Sequence, residues 1–150
     1  MQEEHSGKQP GIFLVDDDER IRRSLEFYFR RKKVPFFSFA SAEEALEYFR
    51  NNRPELLLID YRLPGLNGLE LVRELNGFYP GCMKILITGY GNLDIAEEAM
   101  RLGVHDLIQK PFNTATIQSA VKALKGRAQQ GLQGFWVDGK KVEESQEWGN

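Results

Sequence analysis

Four short apolar runs are spaced along the chain, and each is followed by polar side chains. The runs cover residues 12–15, 56–59, 85–87 and 107–108. Apolar runs of this length with β-branched or aromatic residues are typical of strands buried on both faces of a parallel sheet. A further strand is predicted over residues 34–39, and Pro35 near its start favours a position at the edge of the sheet.

Between these strands, apolar residues recur at helical spacing, for example at Ile21, Leu25 and Phe29. Helix-capping residues precede several of the segments: Asp17 or Asp18, Ser41, Asn67 and Asn113. Five consecutive strand–helix units predict a single α/β domain with a doubly wound (βα)5, flavodoxin-like fold. With strand 2 at an edge, we expect the parallel strand order 2-1-3-4-5.

The polar residues that follow the strands are three aspartates, a threonine and a lysine: Asp16, Asp17, Asp60, Thr88 and Lys110. Ligands of open parallel sheets bind beyond the carboxyl ends of the strands, so these side chains are expected to meet at one rim. Carboxylates favour a hard cation such as Mg²⁺, whereas a hydroxyl and an ammonium favour phosphoryl oxygens. The isolated Asp60 is a candidate nucleophile.

Charge and composition restrict the classes of function. The 150 residues carry a formal net charge of −2, so no overall positive field favours nucleic acid, and we expect no nucleic-acid contact by this chain. No apolar stretch is long enough for a membrane span, and the first residues do not resemble a signal peptide. The single cysteine, Cys82, excludes an internal disulfide and fits a reducing compartment, so the expected location is the cytoplasm.

Four motifs in order carry a family resemblance. They are the acidic pair after Val15, the run from Asp60 to Gly68, the run from Leu86 to Gly91, and Lys110-Pro111-Phe112. Together they resemble the receiver domain of two-component response regulators, the CheY-like fold, over residues 11–126. The resemblance implies a phosphorylation-activated signalling switch rather than an enzyme. Such a switch catalyses only its own phosphotransfer and dephosphorylation.

The resemblance also implies residue roles. Asp60 would accept a phosphoryl group from a sensor histidine kinase. Asp17, Asp60 and the backbone carbonyl of Arg62 would bind Mg²⁺, and Asp16 would support the ion through water. Thr88 and Lys110 would contact the phosphoryl oxygens.

Three physical expectations follow for this rim. Gly89 leaves the phosphoryl pocket open. Some of the crowded aspartates should have raised pKa values when the metal is absent. The Lys110–Pro111 peptide bond is predicted to be cis, since X-Pro bonds adopt this form at low cost.

Several positions concern switching and lifetime. Many receivers have an aromatic residue three positions before the lysine, but this chain has Leu107, which brings the usual threonine–aromatic coupling into question. Arg62 and Tyr90 are bulky residues two positions after Asp60 and Thr88, and they are expected to hinder hydrolysis of the phosphorylated form. Output, including homodimer formation, is expected at the face formed by helix 4, strand 5 and helix 5.

Outside residues 11–126, we predict a loose segment over residues 1–10 and a linker and tail over residues 127–150. Asp138-Gly139 between apolar residues predicts a β-hairpin over residues 135–142 with a type I′ turn. The alternative is a disordered tail.

Two other functions remain open from the sequence. Asp16-x-Asp18 after a strand also resembles haloacid-dehalogenase phosphatases, with Asp16 as nucleophile and Asp18 as acid/base. That family expects Thr where this chain has Arg20, and Asp60 would have no role in it. The other alternative is a degenerate receiver that serves only as a dimerisation module.

Overall fold

The computed structural model describes residues 9–89 and 93–143. Its strands are β1 (Gln9–Val15), β2 (Phe36–Phe39), β3 (Pro54–Asp60), β4 (Met83–Thr88), β5 (Asp106–Gln109), β6 (Phe135–Val137) and β7 (Lys140–Val142). Its helices are α1 (Glu19–Arg31), α2 (Ala42–Phe49), α3 (Gly68–Asn76), α4 (Leu93–Arg101) and α5 (Thr114–Gln129). The strands form one sheet in the order 2-1-3-4-5-6-7, which confirms the predicted 2-1-3-4-5 core and adds two strands to it.

The sheet is covered by helices on both faces, because alternate residues of each strand point to opposite sides. On one side Ile12 and Leu14 of β1 pack with residues of α1 and α5, including Phe29 and Ile117. On the other side, residues such as Phe13 pack with residues of α2, α3 and α4. This two-sided burial explains why the strands are apolar almost throughout.

Helix starts follow the predicted capping residues. Asp18, Ser41, Asn67 and Asn113 each accept a backbone N–H bond in the first turn of their helix. At α3 the capping box is reciprocal, since Asn67 also donates its N–H to Glu70. None of the described helices combines the length and apolar character needed to cross a membrane.

The observed elements differ from the predicted ones mainly at their ends. Strand β1 begins at Gln9, inside the segment predicted to be loose, and α5 continues to Gln129, inside the predicted linker. Strand β2 begins at Phe36, two residues later than expected, because the residue ahead of it in the chain, Pro35, has no N–H to donate. The other residues of the predicted loose segment and the last seven of the tail lie outside the described residues.

The predicted hairpin is present, and it packs on the domain by extending the sheet. Strand β6 pairs in parallel with β5, and β7 pairs antiparallel with β6. Asp138 and Gly139 at the turn have positive φ values of 48° and 84°, as a type I′ turn requires.

Candidate functional site

Three carboxylates meet at the carboxyl ends of two adjacent strands. Val15 of β1 lies opposite Ile59 of β3, so Asp16 and Asp60 follow the last pair of this ladder. Carboxylate oxygens of Asp16, Asp17 and Asp60 all lie within 4.8 Å of one another. Asp16 and Asp60 are buried, whereas Asp17 is exposed. The sequence-based expectation that these residues share one rim is therefore met by the geometry.

Asp16 is held by two hydrogen bonds, but only one of its two carboxylate oxygens has a hydrogen-bond partner among the described residues. Its Oδ1 accepts the N–H of Asp18 at 2.9 Å, and its own N–H donates to the carbonyl of Phe39 at 3.0 Å. Its Oδ2 is buried and has no hydrogen-bond partner among the described residues. A buried carboxylate oxygen of this kind, beside two further carboxylates, fits a hard divalent cation such as Mg²⁺.

Burial raises the pKa of the Asp16 carboxyl to about 6, against the opposing hydrogen bond from Asp18, and the charge of Asp60 adds to the increase. The pKa of Asp60 is also raised, again chiefly by burial. The predicted direction is therefore correct for both residues. The predicted cause was incomplete, because repulsion between the carboxylates is smaller than the cost of desolvating them.

Lys110 provides the positive charge at Asp60. Its Nζ lies 2.7 Å from Asp60 Oδ1, while the N–H of Arg62 donates to Asp60 Oδ2 at 3.1 Å. Burial alone would lower the pKa of Lys110, but the hydrogen bond and charge of Asp60 outweigh it, so the pKa is raised. Lys110 is therefore a charged ammonium that favours the ionised form of Asp60.

Strands β4 and β5 bring Thr88 and Lys110 to the same rim. Thr88 is buried and pairs in register with Gln109, and its carbonyl accepts the N–H of Lys110 at 2.9 Å. The Lys110–Pro111 peptide bond is cis, as predicted. A Cβ atom added to Gly89 would meet no described atom within 4 Å, which agrees with the expected open space.

The loop between β3 and α3 is fixed by contacts that the sequence analysis did not assign. A Cβ on Gly68 would lie 2.5 Å from the carbonyl oxygen of Asp60, so only glycine allows α3 to begin this close to the site. Glu43 of α2 accepts the N–H of Leu66 at 3.2 Å. The available signal for Gly68 was a glycine directly after an N-cap residue, where a better helix former would otherwise be expected.

A groove of about 700 Å³ lies beside Lys110. It runs between α1 and the loop from β5 to α5, and its lining includes Ile21, Leu25, Lys110 and Phe112. No sequence pattern predicts this groove, because its walls come from segments far apart in the chain.

The remaining predicted positions have different outcomes. Arg62 is exposed, and Tyr90 lies outside the described residues. Leu107 is buried and lies between Leu86 and Val137 in the sheet. Strand β6 occupies the outer edge of β5, so the chain itself covers part of the face that was expected to support dimer formation.

The sequence of the chain matches one protein family over most of its length. A family model described as the response regulator receiver domain matches residues 12–122. The chain is 37% identical over 123 residues to the transcriptional regulatory protein FixJ of Azorhizobium caulinodans, covering 81% of this chain and 58% of that protein. It is 33% identical over 111 residues to sporulation initiation phosphotransferase F of Bacillus subtilis, covering 74% of this chain and 90% of that protein.

Among solved structures, a CheY-like receiver domain protein from Methanospirillum hungatei JF-1 superposes with a TM-score of 0.73 at 30% identity. The match covers 80% of this chain and 97% of that one. The chain spans only 58% of the FixJ protein and 26% of the C4-dicarboxylate transport transcriptional regulatory protein DctD of Rhizobium meliloti. The match to the family model extends over most of the domain that carries the carboxylates and the lysine, and the chain belongs to the response regulator receiver domain family, the phosphorylation-activated switches of two-component systems.

Proposed function

We propose that this chain accepts one phosphoryl group on Asp60 from a sensor histidine kinase, in the presence of Mg²⁺, and then signals through protein contacts. The observation that carries the proposal is the 2.7 Å contact between Lys110 Nζ and the buried carboxylate of Asp60, with Asp16 beside it. A buried carboxylate that faces a lysine, with further acidic groups beside it that can hold a divalent cation, is suited to attack the phosphorus of a phosphoryl group whose oxygens are negatively charged.

Each residue has a distinct part in this reaction. Asp60 supplies the nucleophilic oxygen, and the ammonium of Lys110 opposes the increase in the pKa of Asp60 that burial causes. Once an acyl phosphate is formed, Lys110 pairs with a phosphoryl oxygen, and the Thr88 hydroxyl donates a hydrogen bond to another. Gly89 leaves room for these oxygens.

The metal would be held by Asp16, Asp17, Asp60 and the backbone carbonyl of Arg62. Mg²⁺ at this position supplies positive charge that offsets the charge of the incoming phosphoryl group. The unpaired Oδ2 of Asp16 and the close approach of the three carboxylates support this assignment.

The chain's own chemistry would be limited to phosphotransfer onto Asp60 and the later loss of that group. We assign Arg62 and Tyr90, two positions after Asp60 and Thr88 in the sequence, to the control of this loss, because bulky residues at these positions would hinder in-line attack by water. A cytoplasmic location agrees with a chain whose single cysteine, Cys82, is buried. Homodimer formation would have to use α4 and α5, since β6 already pairs with β5.

The groove beside Lys110 is the proposed approach for the phosphodonor. Its apolar residues, Ile21, Leu25 and Phe112, would accept the apolar side of a partner helix, and Lys110 lies in its lining. The histidine of that partner would then approach Asp60 from the side of α1.

Intact mass measurement after incubation with acetyl phosphate and Mg²⁺ tests the acceptor. We expect one added phosphoryl group on the parent chain, none without Mg²⁺, and none on the Asp60→Asn variant. Asp94→Asn, at an exposed position in the first turn of α4, is the matched control and should be labelled like the parent. Equal labelling of Asp60→Asn and the parent would refute the assignment.

The same experiment separates the other functions. A phosphatase that uses Asp16 as nucleophile would keep its covalent intermediate in Asp60→Asn and lose it in Asp16→Asn. A degenerate receiver would take up no phosphoryl group in any form. Neither alternative is favoured by the family match or by the pairing of Lys110 with Asp60.

A further inference from the structure

The C-terminal hairpin is hydrogen-bonded directly to β5, the strand that Lys110 follows. The N–H of Trp136 donates to the carbonyl of His105 at 3.0 Å, and the N–H of Asp138 donates to the carbonyl of Leu107 at 2.9 Å. These bonds continue the parallel ladder along β5. The hairpin turn therefore lies next to the end of β5, close to the rim of the candidate site.

At that end, a single side chain of the hairpin holds Gln109 by two bonds. Asp138 Oδ1 accepts the backbone N–H of Gln109 at 3.0 Å, and Asp138 Oδ2 accepts its side-chain Nε2–H at 3.0 Å. Gln109 is the residue immediately before Lys110. Two bonds from one carboxylate fix a position and an orientation, which one bond would not do.

The backbone at Lys110 is therefore held by hydrogen bonds from both sides of β5. On the inner side its N–H donates to the carbonyl of Thr88, and on the outer side its neighbour Gln109 is held by Asp138. The ammonium of Lys110 reaches Asp60 at the far end of a flexible side chain. A shift of the backbone at residue 109 or 110 would move the ammonium away from the phosphoryl position.

The hairpin is itself firmly anchored, so Asp138 has a fixed base. Phe135 is buried in the core. Trp136 stacks on the guanidinium of Arg127 at 3.7 Å, and Arg127 pairs with Asp106 at 3.0 Å. The anchor joins β5, α5 and β6 immediately beneath the turn.

We propose that Asp138 is a positioning residue for Lys110, so that the docked C-terminal hairpin sets the efficiency of phosphotransfer to Asp60. The proposal rests on the proposed function, because the reaction it modifies is phosphorylation of Asp60. Asp138 touches neither the phosphoryl group nor the metal ligands; it acts through Gln109.

The test compares rates of phosphorylation by acetyl phosphate among variants of the full chain. Asp138→Ala should slow the reaction about ten-fold, because the lysine is no longer held in place. Gln109→Ala, at an exposed position, loses only the Oδ2 bond and should slow it about three-fold. Asp138→Asn keeps an acceptor for the Gln109 N–H and an Asn-Gly turn, and it should stay within about two-fold of the parent. Lys140→Ala, an exposed position on the same hairpin, is the control and should react like the parent.

Mg²⁺ affinity, measured by calorimetric titration, distinguishes positioning from general damage. Lys110 is not a metal ligand, so its displacement should leave Mg²⁺ binding unchanged or tighter. If Asp138→Ala weakens Mg²⁺ binding as much as it slows the reaction, the role of Asp138 is structural and the proposal is wrong. Parent-like rates in both Asp138→Ala and Gln109→Ala would also overturn it.

Two further outcomes bear on the proposal. If Asp138→Ala does not fold, the Gln109→Ala rate decides alone, and a value equal to that of the parent refutes the proposal. If the parent itself takes up no phosphoryl group, the proposed function fails and this inference fails with it. A labelled parent with unaffected variants removes only the role of Asp138.

Discussion

Two buried aspartates in this domain each face one cation, yet the two pairs are built differently. Asp60 ends β3 and lies 2.7 Å from Lys110, whereas Asp106 begins β5 and lies 3.0 Å from Arg127. Burial raises the pKa of both carboxyls, and in both cases the cation opposes the increase. Each carboxyl is therefore opposed by burial and favoured by one cation, and the two pairs differ in what surrounds them.

The side chain of Arg127 is 14% exposed and stacks on Trp136, so it has no freedom to leave Asp106. The side chain of Lys110 is 33% exposed, and two further carboxylates lie beside its partner. A planar guanidinium fixed by an aromatic ring is suited to a permanent structural contact. A lysine on a flexible chain is suited to exchange one anion for another. We infer that the first pair holds the hairpin in place and the second is part of the reaction.

Removing the cation from the Asp106 pair should have the largest effect on stability. Arg127→Ala leaves a buried carboxylate without a counter-ion and Trp136 without its stacking partner. We expect the free energy of unfolding in urea to fall by about 3 kcal/mol. Arg101→Ala, in the exposed last turn of α4, is the control and should change it by less than about 0.5 kcal/mol. A loss as small as that of the control would mean that the hairpin is not held through Arg127.

The same truncation at the other pair should affect the reaction more than the fold. Lys110→Ala removes the charge that contacts the phosphoryl oxygens, and we expect phosphorylation by acetyl phosphate to slow about 100-fold. With Mg²⁺ present, the charge of the metal offsets that of the carboxylates. The free energy of unfolding should therefore change by only about 1 kcal/mol. If the variant is labelled at the parent rate, Lys110 has no part in phosphotransfer and the comparison between the pairs fails.

The two pairs also differ in how well they could be predicted from the sequence. The residues of the acidic rim could be predicted because each one directly follows a buried strand, and parallel strands end at the same rim. Asp16, Asp60, Thr88 and Lys110 were therefore identified together. Their depth of burial could not be inferred from the chain, and so repulsion was expected to be the main cause of the raised pKa values.

The ion pair between Arg127 and Asp106, which anchors the hairpin, is not predicted from the sequence, and neither is the role of Asp138. The sequence pattern assigns Arg127 to a linker and predicts only a turn at Asp138. Their roles depend on β6 adding to β5 in a register that places Val137 opposite Leu107. No local pattern specifies that register. Lys84 was missed for a related reason: a lysine within a strand suggests exposure, but its Nζ is buried and donates to the carbonyls of Pro80 and Cys82.

The Asp106 pair should also be visible in the pH dependence of stability. Burial raises the pKa of Asp106 from 3.8 to about 6, against the effect of Arg127. Between these values the unfolded chain is ionised while the folded chain keeps its proton, so stability falls as pH rises through this window. The decrease attributable to Asp106 is about 2 kcal/mol.

The measurement is urea unfolding of the parent and of Asp106→Asn across this range of pH. Carboxylates common to both chains cancel in the difference between the two curves. The difference should move in favour of Asp106→Asn as pH rises from 3.8 to about 6, and it should stay constant above that. Parallel curves would show that Asp106 titrates alike in the folded and unfolded chains.

The smallest expected effect concerns Asp16, the half-satisfied member of the acidic rim. Its pKa is raised to about 6 chiefly by burial, so at neutral pH the metal-free fold holds a carboxylate whose charged form is disfavoured. Asp16→Asn removes that charge. In the presence of a chelator the variant should be more stable than the parent by about 1 kcal/mol, which corresponds to a melting temperature roughly 3 °C higher for a chain of this size.

Mg²⁺ should reverse this order, which makes the comparison sharper than the melting temperature alone. Binding to the native state raises the stability of the parent, whereas Asp16→Asn has lost one of the acidic groups at the site and should gain less. Asp94→Asn should follow the parent in both conditions, because its exposed carboxylate lies in the first turn of α4. A parent that is more stable than Asp16→Asn in chelator would show that the buried oxygen of Asp16 is already satisfied. Equal gains with Mg²⁺ would show that Asp16 does not contribute to metal binding.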